Sequence, residues 1–252
     1  KVLILIMHRY QILIEYVGTK FVGWQAQKNG NSIQGLIEKK LSKVLKEKIN
    51  VVGSGRTDSG VHAIEQSAHF DLKKKIKDQK KFLKSLNYFL NNKLVSILKI
   101  KKKPRSFHAR YSAKMRSYVY VIYNRESPTS LNKERGWHVR KKLNLNLMNK
   151  GTQKLVGTHN YSTFRSSSCG ARSPIRTIKK FTISKSKNTI KIRIKSRSFL
   201  QQQVRSMVGC LKYLGEERWN LKYFEKVFKS KKRSLCAPPA PASGLFLEKI
   251  IY

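Results

Sequence analysis

The order of predicted strands and helices constrains the fold of this chain most strongly. Short runs rich in β-branched and aromatic residues alternate with segments whose apolar residues recur at helical spacing. The clearest helix follows Ser32, a residue type favoured at helix N-caps, and its apolar residues at 33, 36, 37, 41, 44 and 45 form one stripe. Lysines occupy the other face. This segment is therefore predicted to be an amphipathic helix.

The same order of elements is predicted twice. In the first half we expect strands at 10–16, 51–52, 61–72 and 94–100, with helices starting after Ser32 and spanning 82–90. In the second half we expect strands at 118–123, 178–184, 189–195 and 245–251, with helices at 143–155, 199–214 and 221–228. The order β-α-β-β-α-β is that of a ferredoxin-like unit. The predicted class is α+β: two ferredoxin-like halves, 1–104 and 105–252, forming a largely antiparallel mixed sheet with helices on one side.

The charge of the chain predicts a polyanionic partner. Lys and Arg total 55 against 13 Asp and Glu, a formal charge of +42, while 40% hydrophobic and 10% aromatic residues are typical of a globular protein. Twelve lysines lie between Lys73 and Lys103, and Arg165, Arg172 and Arg176 flank the loop at 166–170. We interpret these cations as a surface for a nucleic-acid backbone, which supplies affinity but little sequence choice. The predicted fold is therefore expected to contain a central RNA-binding cleft.

Several classes of site are disfavoured. Three widely spaced cysteines without a Cys-x-x-Cys pair predict neither a disulfide framework nor a zinc site. The apolar run at 2–7 is too short to cross a bilayer, so we expect a soluble intracellular protein whose residues 1–6 are an extension that the fold does not need. Gly55 and Gly60 have phosphate-loop spacing, but Val61 and His62 stand where such a loop needs Lys and Ser or Thr. ATP and NAD are therefore disfavoured.

Asp58 is the candidate reactive group. Arg56 lies two positions away, so in extended backbone both side chains project to the same face, where an arginine can keep a carboxylate ionised. The sequence at 57–60 is also that of an ordinary turn. However, the chain has only three aspartates, and Asp71 and Asp78 lie among lysines, where we interpret them as solvated counter-charges. Any chemistry is therefore expected to use Asp58.

Residues 55–63, GRTDSGVHA, resemble the signature of the tRNA pseudouridine synthase A family, with Ser59 where that family usually has Ala. The resemblance covers nearly the whole chain through ordered motifs: Glu15-Tyr16-x-Gly18-x-x-Phe21-x-Gly23-Trp24-Gln25, Ser32-Ile33-Gln34, Phe107-His108-Ala109-Arg110, Tyr118-x-Tyr120, Ser162-x-Phe164-Arg165, Phe199-Leu200-x-x-Gln203-Val204-Arg205-x-Met207-Val208-Gly209, and Ala242-x-Gly244-Leu245-x-Leu247.

The resemblance implies isomerisation of uridine to pseudouridine at positions 38, 39 and 40 of the tRNA anticodon arm, without metal or cofactor. It also implies a homodimer, and we expect this homodimer to be cytoplasmic. By position in the motifs, Asp58 would be the nucleophile, acting either by direct attack on the sugar or by promoting elimination from it. Arg56 would pair with Asp58 and take the place of the flipped base, and Tyr118 would pack against the target base.

Further substrate contacts are expected on the second half and at the join. Arg205 falls on a polar stripe of the predicted helix, and Leu245 is expected to line the base pocket. Arg110, Phe164 and Arg165 are expected to bind substrate by their place in the motifs.

Other interpretations stay open. Tyr118 and Leu245 could equally be core residues. The charge and the fold would also suit a non-catalytic RNA-binding protein or an enzyme that acts on another RNA.

Overall fold

The computed structural model describes residues 7–27 and 30–252, so the predicted extension at 1–6 lies outside the described residues. The chain divides into two compact units. One unit runs to residue 114 and also contains residues 247–252, and the other comprises residues 115–246. This division differs from the predicted halves, which met at residue 104 and left the C-terminus in the second half.

Hydrogen bonds within the first unit explain the difference. The backbone N–H of Ala109 donates to Nδ1 of His69 at 3.1 Å. The hydroxyl of Tyr252 lies 2.9 Å from the carbonyl oxygen of Ala109, and the N–H of Lys114 donates to the carbonyl of Ile251 at 2.8 Å. Residues 105–114 and the C-terminus are thus tied to the first sheet, although they are far apart in sequence.

The first unit shows the predicted order of elements. They are strand β1 (His8–Tyr16), helix α1 (Ile33–Leu45), β2 (Val52–Gly53), β3 (His62–Leu72), α2 (Gln79–Leu90) and β4 (Val95–Lys103). β1 pairs with β4 and β3, and β2 pairs with β3, all antiparallel. Strands β1 and β3 therefore lie side by side and supply the side chains beneath the loop that joins β2 to β3.

Helix α1 forms as its sequence predicts. The hydroxyl of Ser32 caps it by accepting from the N–H of Gly35 at 3.2 Å. Ile33, Ile37 and Leu41 are fully buried along one stripe. Lys46 then adopts a left-handed backbone conformation, which ends the helix.

The second unit contains β5 (Met115–Asn124), β6 (Trp137–Val139), α3 (Leu145–Lys154), β7 (Gly157–Asn160), β8 (Ile175–Ser186), β9 (Thr189–Ser196), α4 (Gln203–Gly215) and α5 (Leu221–Lys229). The antiparallel order is β5-β9-β8-β7, and the short β6 pairs parallel with β5. The last strand, β10, spans Leu245–Ile251. Strands β6 and β7 were not predicted from the sequence.

Helix α4 begins four residues later than predicted. Gln202 has a φ of 60°, a left-handed conformation that cannot continue a helix from residue 199. The side chain of Gln203 folds back and accepts from the N–H of Leu200 at 2.8 Å. The segment 199–202 is therefore a turn that leads into α4.

The predicted class is confirmed. The described residues form ten strands and five α-helices. The sheet is mixed and mostly antiparallel, with β5 and β6 paired parallel, which is an α+β architecture. Within those residues, no helix combines the length and apolar character needed to cross a bilayer.

Candidate active site

Asp58 lies in the loop at residues 54–61, between β2 and β3. Thr57 is buried, with 6% of its surface exposed, whereas Arg56 is exposed and Asp58 is half-buried. The loop turns back where the N–H of Val61 donates to the carbonyl of Asp58 at 3.1 Å. Thr57 thus anchors the loop inward while its two neighbours lie nearer the surface.

Buried side chains from β1 and β3 hold the inner side of this loop. The hydroxyls of Tyr16 and Thr57 are 2.8 Å apart. The hydroxyl of Ser54 donates to Oε1 of Gln66 at 2.8 Å, and Nε2 of Gln66 donates to the carbonyl of Gly55 at 2.9 Å. Since these polar groups are buried, any deformation of the loop that breaks a hydrogen bond leaves an unsatisfied buried group. This cost in free energy keeps the loop in place.

The segment at 18–24 holds the loop from a second direction. The N–H of Trp24 donates to the carbonyl of Thr57 at 3.1 Å, and the hydroxyl of Ser59 donates to the carbonyl of Phe21 at 3.1 Å. A Cβ at Gly23 would lie 2.7 Å from the carbonyl oxygen of Thr57, and Gly23 has a φ of +113°. Only glycine fits this approach without strain.

A second glycine packs against the end of the loop. A Cβ at Gly18 would collide with the carbonyl of Val61. The N–H of Gly18 donates to Nδ1 of His62 at 3.0 Å. These contacts give structural roles to Tyr16, Gly18 and Gly23, which the sequence motifs contain but to which no role was assigned.

Arg56 has a defined partner in the same unit. Its Nε donates to Oε1 of Gln25 at 3.0 Å. This bond orients the guanidinium at the exposed side of the loop. The predicted pairing of Arg56 with Asp58 stays a prediction.

Tyr118 lies in β5 of the second unit, opposite Ile194 in β9. Its side chain is buried, with 9% exposed, and its ring meets the ring of Phe199 edge to face at a centroid distance of 5.3 Å. Phe199 belongs to the turn that precedes α4. The turn that delays the start of α4 therefore also places an aromatic ring against Tyr118.

Arg205 projects from the first turns of α4 and is bonded twice to Ala240. Its Nε donates to the carbonyl of Ala240 at 2.7 Å, and its own carbonyl accepts from the N–H of Ala240 at 3.0 Å. The buried Tyr120 donates its hydroxyl to the carbonyl of Pro241 at 2.8 Å. Burial raises the pKa of Tyr120, and the positive charge of Arg205 partly opposes that rise. Tyr120 therefore stays neutral as a donor.

Three other predicted contact residues of the second unit have structural contacts. Phe164 is 1% exposed and stacks on Phe228 at 5.6 Å, and Leu245 is 6% exposed. Arg165 is half-buried and donates to the carbonyl of Cys169. Their contacts with substrate stay predictions, and the described contacts of Phe164 are those of a core residue.

Arg110 lies in the first unit and is exposed. Its guanidinium lies 5.6 Å from the ring centroid of Tyr111, which is itself exposed and packs against the ring of His108 at 4.4 Å. This cation and these rings form a surface suited to nucleic-acid bases and phosphates.

The interpretation of Asp71 as a solvated counter-charge is wrong. Arg9 donates to both of its carboxylate oxygens, at 2.8 and 2.7 Å, and this hydrogen bonding lowers the pKa of Asp71. The partner lies on the neighbouring strand, 62 residues away, where local sequence gives no sign of it. Asp78 is exposed, and it caps α2 by accepting from the N–H of Lys81 at 2.9 Å.

The described residues contain no group of three or more His, Cys, Asp or Glu side chains arranged to hold a metal ion.

Comparison with known proteins identifies the family. The family model described as tRNA pseudouridine synthase matches residues 12–112 and 152–252, which include the Asp58 loop, Arg205 and β10. The chain belongs to the tRNA pseudouridine synthase family. A tRNA pseudouridine synthase A of Pelagibacter ubique is 64% identical over 246 residues, covering 98% of this chain and 100% of the relative.

More distant relatives cover the same length. The tRNA pseudouridine synthase A of Sinorhizobium fredii is 42% identical over 252 residues, and that of Parvibaculum lavamentivorans is 40% identical over 246. Each match covers 98% of this chain and 100% of the relative. The resemblance inferred from the sequence motifs is therefore confirmed over nearly the whole chain of this pseudouridine synthase.

Proposed function

We propose that this chain isomerises uridine to pseudouridine at positions 38 to 40 of the tRNA anticodon arm, with Asp58 as the nucleophile. The observation that carries the proposal is the support of the Asp58 loop. Buried side chains of β1 and β3 hold it on one side, and the 18–24 segment holds it on the other. A reacting carboxylate gains rate from such positioning.

The reaction suits one fixed carboxylate. The C1′–N1 bond must break, which leaves uracil as an anion and the sugar carbon electron-poor. Asp58 stabilises this change either by attacking the sugar or by promoting elimination from it. The detached uracil then turns and rejoins the sugar through C5, and the proton on C5 is lost. The uracil must stay in the site throughout, so the site needs walls as well as a nucleophile.

Extrusion of the target base needs groups that replace and hold it. A stacked base is out of reach of the carboxylate until it is flipped. Arg56 is exposed on the same loop and is oriented by Gln25, which suits a side chain that fills the vacated position. Tyr118 is held edge to face by Phe199, which suits a rigid wall for the base.

The rest of the tRNA is bound through its phosphates. A groove of about 840 Å³ in the first unit lies beside the end of α1 and the start of α2. Six lysines line it, against Glu47 and Asp78: Lys46, Lys73, Lys74, Lys75, Lys77 and Lys81. Cations in a groove neutralise phosphates and release counterions, so tRNA affinity should fall with added salt.

The proposed homodimer rests on the family resemblance alone. We expect a cytoplasmic homodimer with the tRNA lying across both subunits. Light scattering with and without tRNA measures the assembly directly.

A tRNA carrying tritium at uridine C5 tests the reaction. Formation of the C1′–C5 bond expels this hydrogen, so the wild-type chain should release tritium into water without added nucleotide or flavin. Binding of tRNA without tritium release would show a non-catalytic RNA-binding protein. Release from another RNA but not from tRNA would assign the enzyme a different substrate.

A further inference from the structure

Two cysteines that the proposed reaction does not use lie side by side in the second unit. Cys210 is in α4 and is fully buried, and Cys236 follows the short 3-10 turn Arg233–Leu235 and is partly exposed. Their sulfur atoms are 3.5 Å apart. A disulfide bond is about 2.05 Å long, so a shift of roughly 1.5 Å separates this contact from a covalent link.

The surroundings of the pair differentiate the two sulfurs. Nη1 of Arg233 lies 3.1 Å from Sγ of Cys236 and 2.8 Å from the hydroxyl of Ser206, so the guanidinium is held beside that sulfur. A hydrogen bond from Cys210 lowers the pKa of Cys236, burial opposes this, and the charge of Arg233 lowers it further. The same contact and burial raise the pKa of Cys210. Cys236 therefore carries the nucleophilic sulfur, and Cys210 keeps its proton.

We propose that Cys236 and Cys210 form a reversible redox site, in which Cys236 reacts with a hydroperoxide and Cys210 resolves the product to a disulfide. In the first step the sulfur of Cys236 attacks hydrogen peroxide, the O–O bond breaks, and a sulfenic acid and hydroxide are formed. In the second step the sulfur of Cys210 attacks Sγ of Cys236 and the S–O bond breaks. The Cys210 proton leaves with the hydroxyl as water. Two equivalents of a small thiol reduce the disulfide again.

The segment that begins at Cys236 packs closely against α4. The segment at 236–241 passes so close to α4 that a Cβ at Gly209 would collide with the carbonyl of Pro238. Further along, Ala240 is bonded in both directions to Arg205. A disulfide between Cys236 and Cys210 would link this segment covalently to α4, to which hydrogen bonds and packing already attach it. The oxidised chain should therefore have a higher Tm than the reduced chain.

Peptide mapping of the intact wild-type chain tests the proposal without any variant. The reduced chain is treated with hydrogen peroxide, its remaining thiols are alkylated, and the digest is analysed by mass spectrometry. We expect alkylatable thiols to fall from three to one, with the peptides containing Cys210 and Cys236 joined. Dithiothreitol should restore all three thiols. Three alkylated cysteines after peroxide, or sulfinic acid at Cys236 without the joined peptide, would overturn the proposal.

Variants identify the roles of the cysteines. Cys169→Ser must leave the joined peptide unchanged. Cys210→Ser should give a sulfenic acid at Cys236 that a dimedone probe traps, whereas Cys236→Ser should leave Cys210 unlabelled. Trapping at Cys210 instead of Cys236 would overturn the assignment. Because the readout is covalent, it is independent of tRNA modification.

Discussion

Each unit contains one irregular segment that is important for the proposed site. The loop at 54–61 carries Asp58, and the segment at 236–241 binds Arg205. The two segments are anchored in different ways. The loop at 54–61 of the first unit is anchored by buried side chains, with Tyr16, Thr57 and Gln66 making specific hydrogen bonds. The segment at 236–241 of the second unit is anchored mainly through its carbonyls and one N–H, which bond Arg205 and Tyr120. In the first arrangement buried side chains of β1 and β3 hold the loop from beneath, whereas in the second the side chains of Arg205 and Tyr120 hold the carbonyl groups of the segment.

The two segments also differ in how oxidation can affect their attachment. The anchors beneath the loop at 54–61 are hydroxyl and amide groups with no thiol among them, so thiol oxidation cannot alter them. The 236–241 segment begins with a cysteine 3.5 Å from Cys210, so oxidation can alter its attachment. The first unit therefore provides a constant position for Asp58, and the second contains a modifiable support for Arg205.

The largest effect is expected from Asp58→Asn, which keeps the size of the side chain and removes its charge. An amide cannot replace the carboxylate at the sugar, so turnover should fall by at least about a thousandfold. Binding relies on many phosphate contacts, so tRNA affinity should change by less than about tenfold. Single-turnover kinetics and filter binding measure the two quantities.

Asp78→Asn is the matched control. Asn caps helices about as well as Asp, so α2 should keep its cap and turnover should stay near wild type, while loss of one negative charge from the basic groove should change tRNA affinity by less than about tenfold. Asp71 does not serve as a control, because Arg9 binds it on both oxygens. A comparable rate for Asp58→Asn and Asp78→Asn would show that Asp58 is not the nucleophile.

Acid should destabilise the first unit through His69. Burial is the main cause that lowers the pKa of His69 to about 4, from 6.5, and its Nδ1 accepts from the N–H of Ala109. Between pH 6.5 and 4 the unfolded chain binds a proton that the folded chain does not, so the free energy of unfolding should fall by about 3 kcal/mol across this range. Denaturant unfolding at several pH values measures the loss.

His69→Asn is the control for this prediction, because Asn keeps an acceptor near the position of Nδ1 and does not titrate in this range. Its stability should vary less with pH than that of the wild type. Equal pH dependence of the two proteins would remove His69 as the cause. The lowered pKa of Asp71 acts below this window, because stability from that carboxylate is lost only as the pH falls below its ordinary value of 3.8.

A matched pair of tyrosine substitutions compares the two anchoring modes directly. Tyr16→Phe removes the buried partner of Thr57, so it should lower the free energy of unfolding by about 1–2 kcal/mol and reduce kcat by about tenfold through the displaced loop. Tyr120→Phe removes a donor to the part-buried carbonyl of Pro241 and leaves both bonds between Ala240 and Arg205 in place. Its effect on kcat should stay below about threefold. Equal effects of the two variants would contradict the distinction drawn between the segments.

The smallest effect is expected from single lysines of the basic groove. Lys75→Gln should weaken tRNA binding by roughly fivefold and lower the slope of log affinity against log salt by about one. Lys229→Gln is the control, because Lys229 already lies 3.9 Å from Glu225. Binding across a salt series measures both, and an unchanged slope for Lys75→Gln would exclude it from the phosphate surface.

Much of the fold could be predicted because its signals are local. The cap at Ser32 and the buried stripe at Ile33, Ile37 and Leu41 specify α1 within about one turn. Local patterns did not reveal the short strands β6 and β7, and they did not show that Gln202 would turn the chain before α4.

The candidate site was predictable to the extent that its residues form contiguous motifs. The sequence at 55–63 identifies the Asp58 loop, but the anchors of that loop come from β1, β3 and the 18–24 segment. Pairings across long sequence separations were not predictable, and the Arg9–Asp71 ion pair and the Cys210–Cys236 contact are two examples.

The most direct test of the proposed function is a position-resolved map of pseudouridine in one unmodified tRNA with uridines at positions 38, 39 and 40. The tRNA is treated with wild-type chain, Asp58→Asn or Asp78→Asn, and each uridine is then examined by carbodiimide adduct and primer extension. We expect pseudouridine at these positions with the wild type and Asp78→Asn, and at none of them with Asp58→Asn. Pseudouridine elsewhere in the tRNA alone, or its formation by Asp58→Asn, would contradict the proposed reaction.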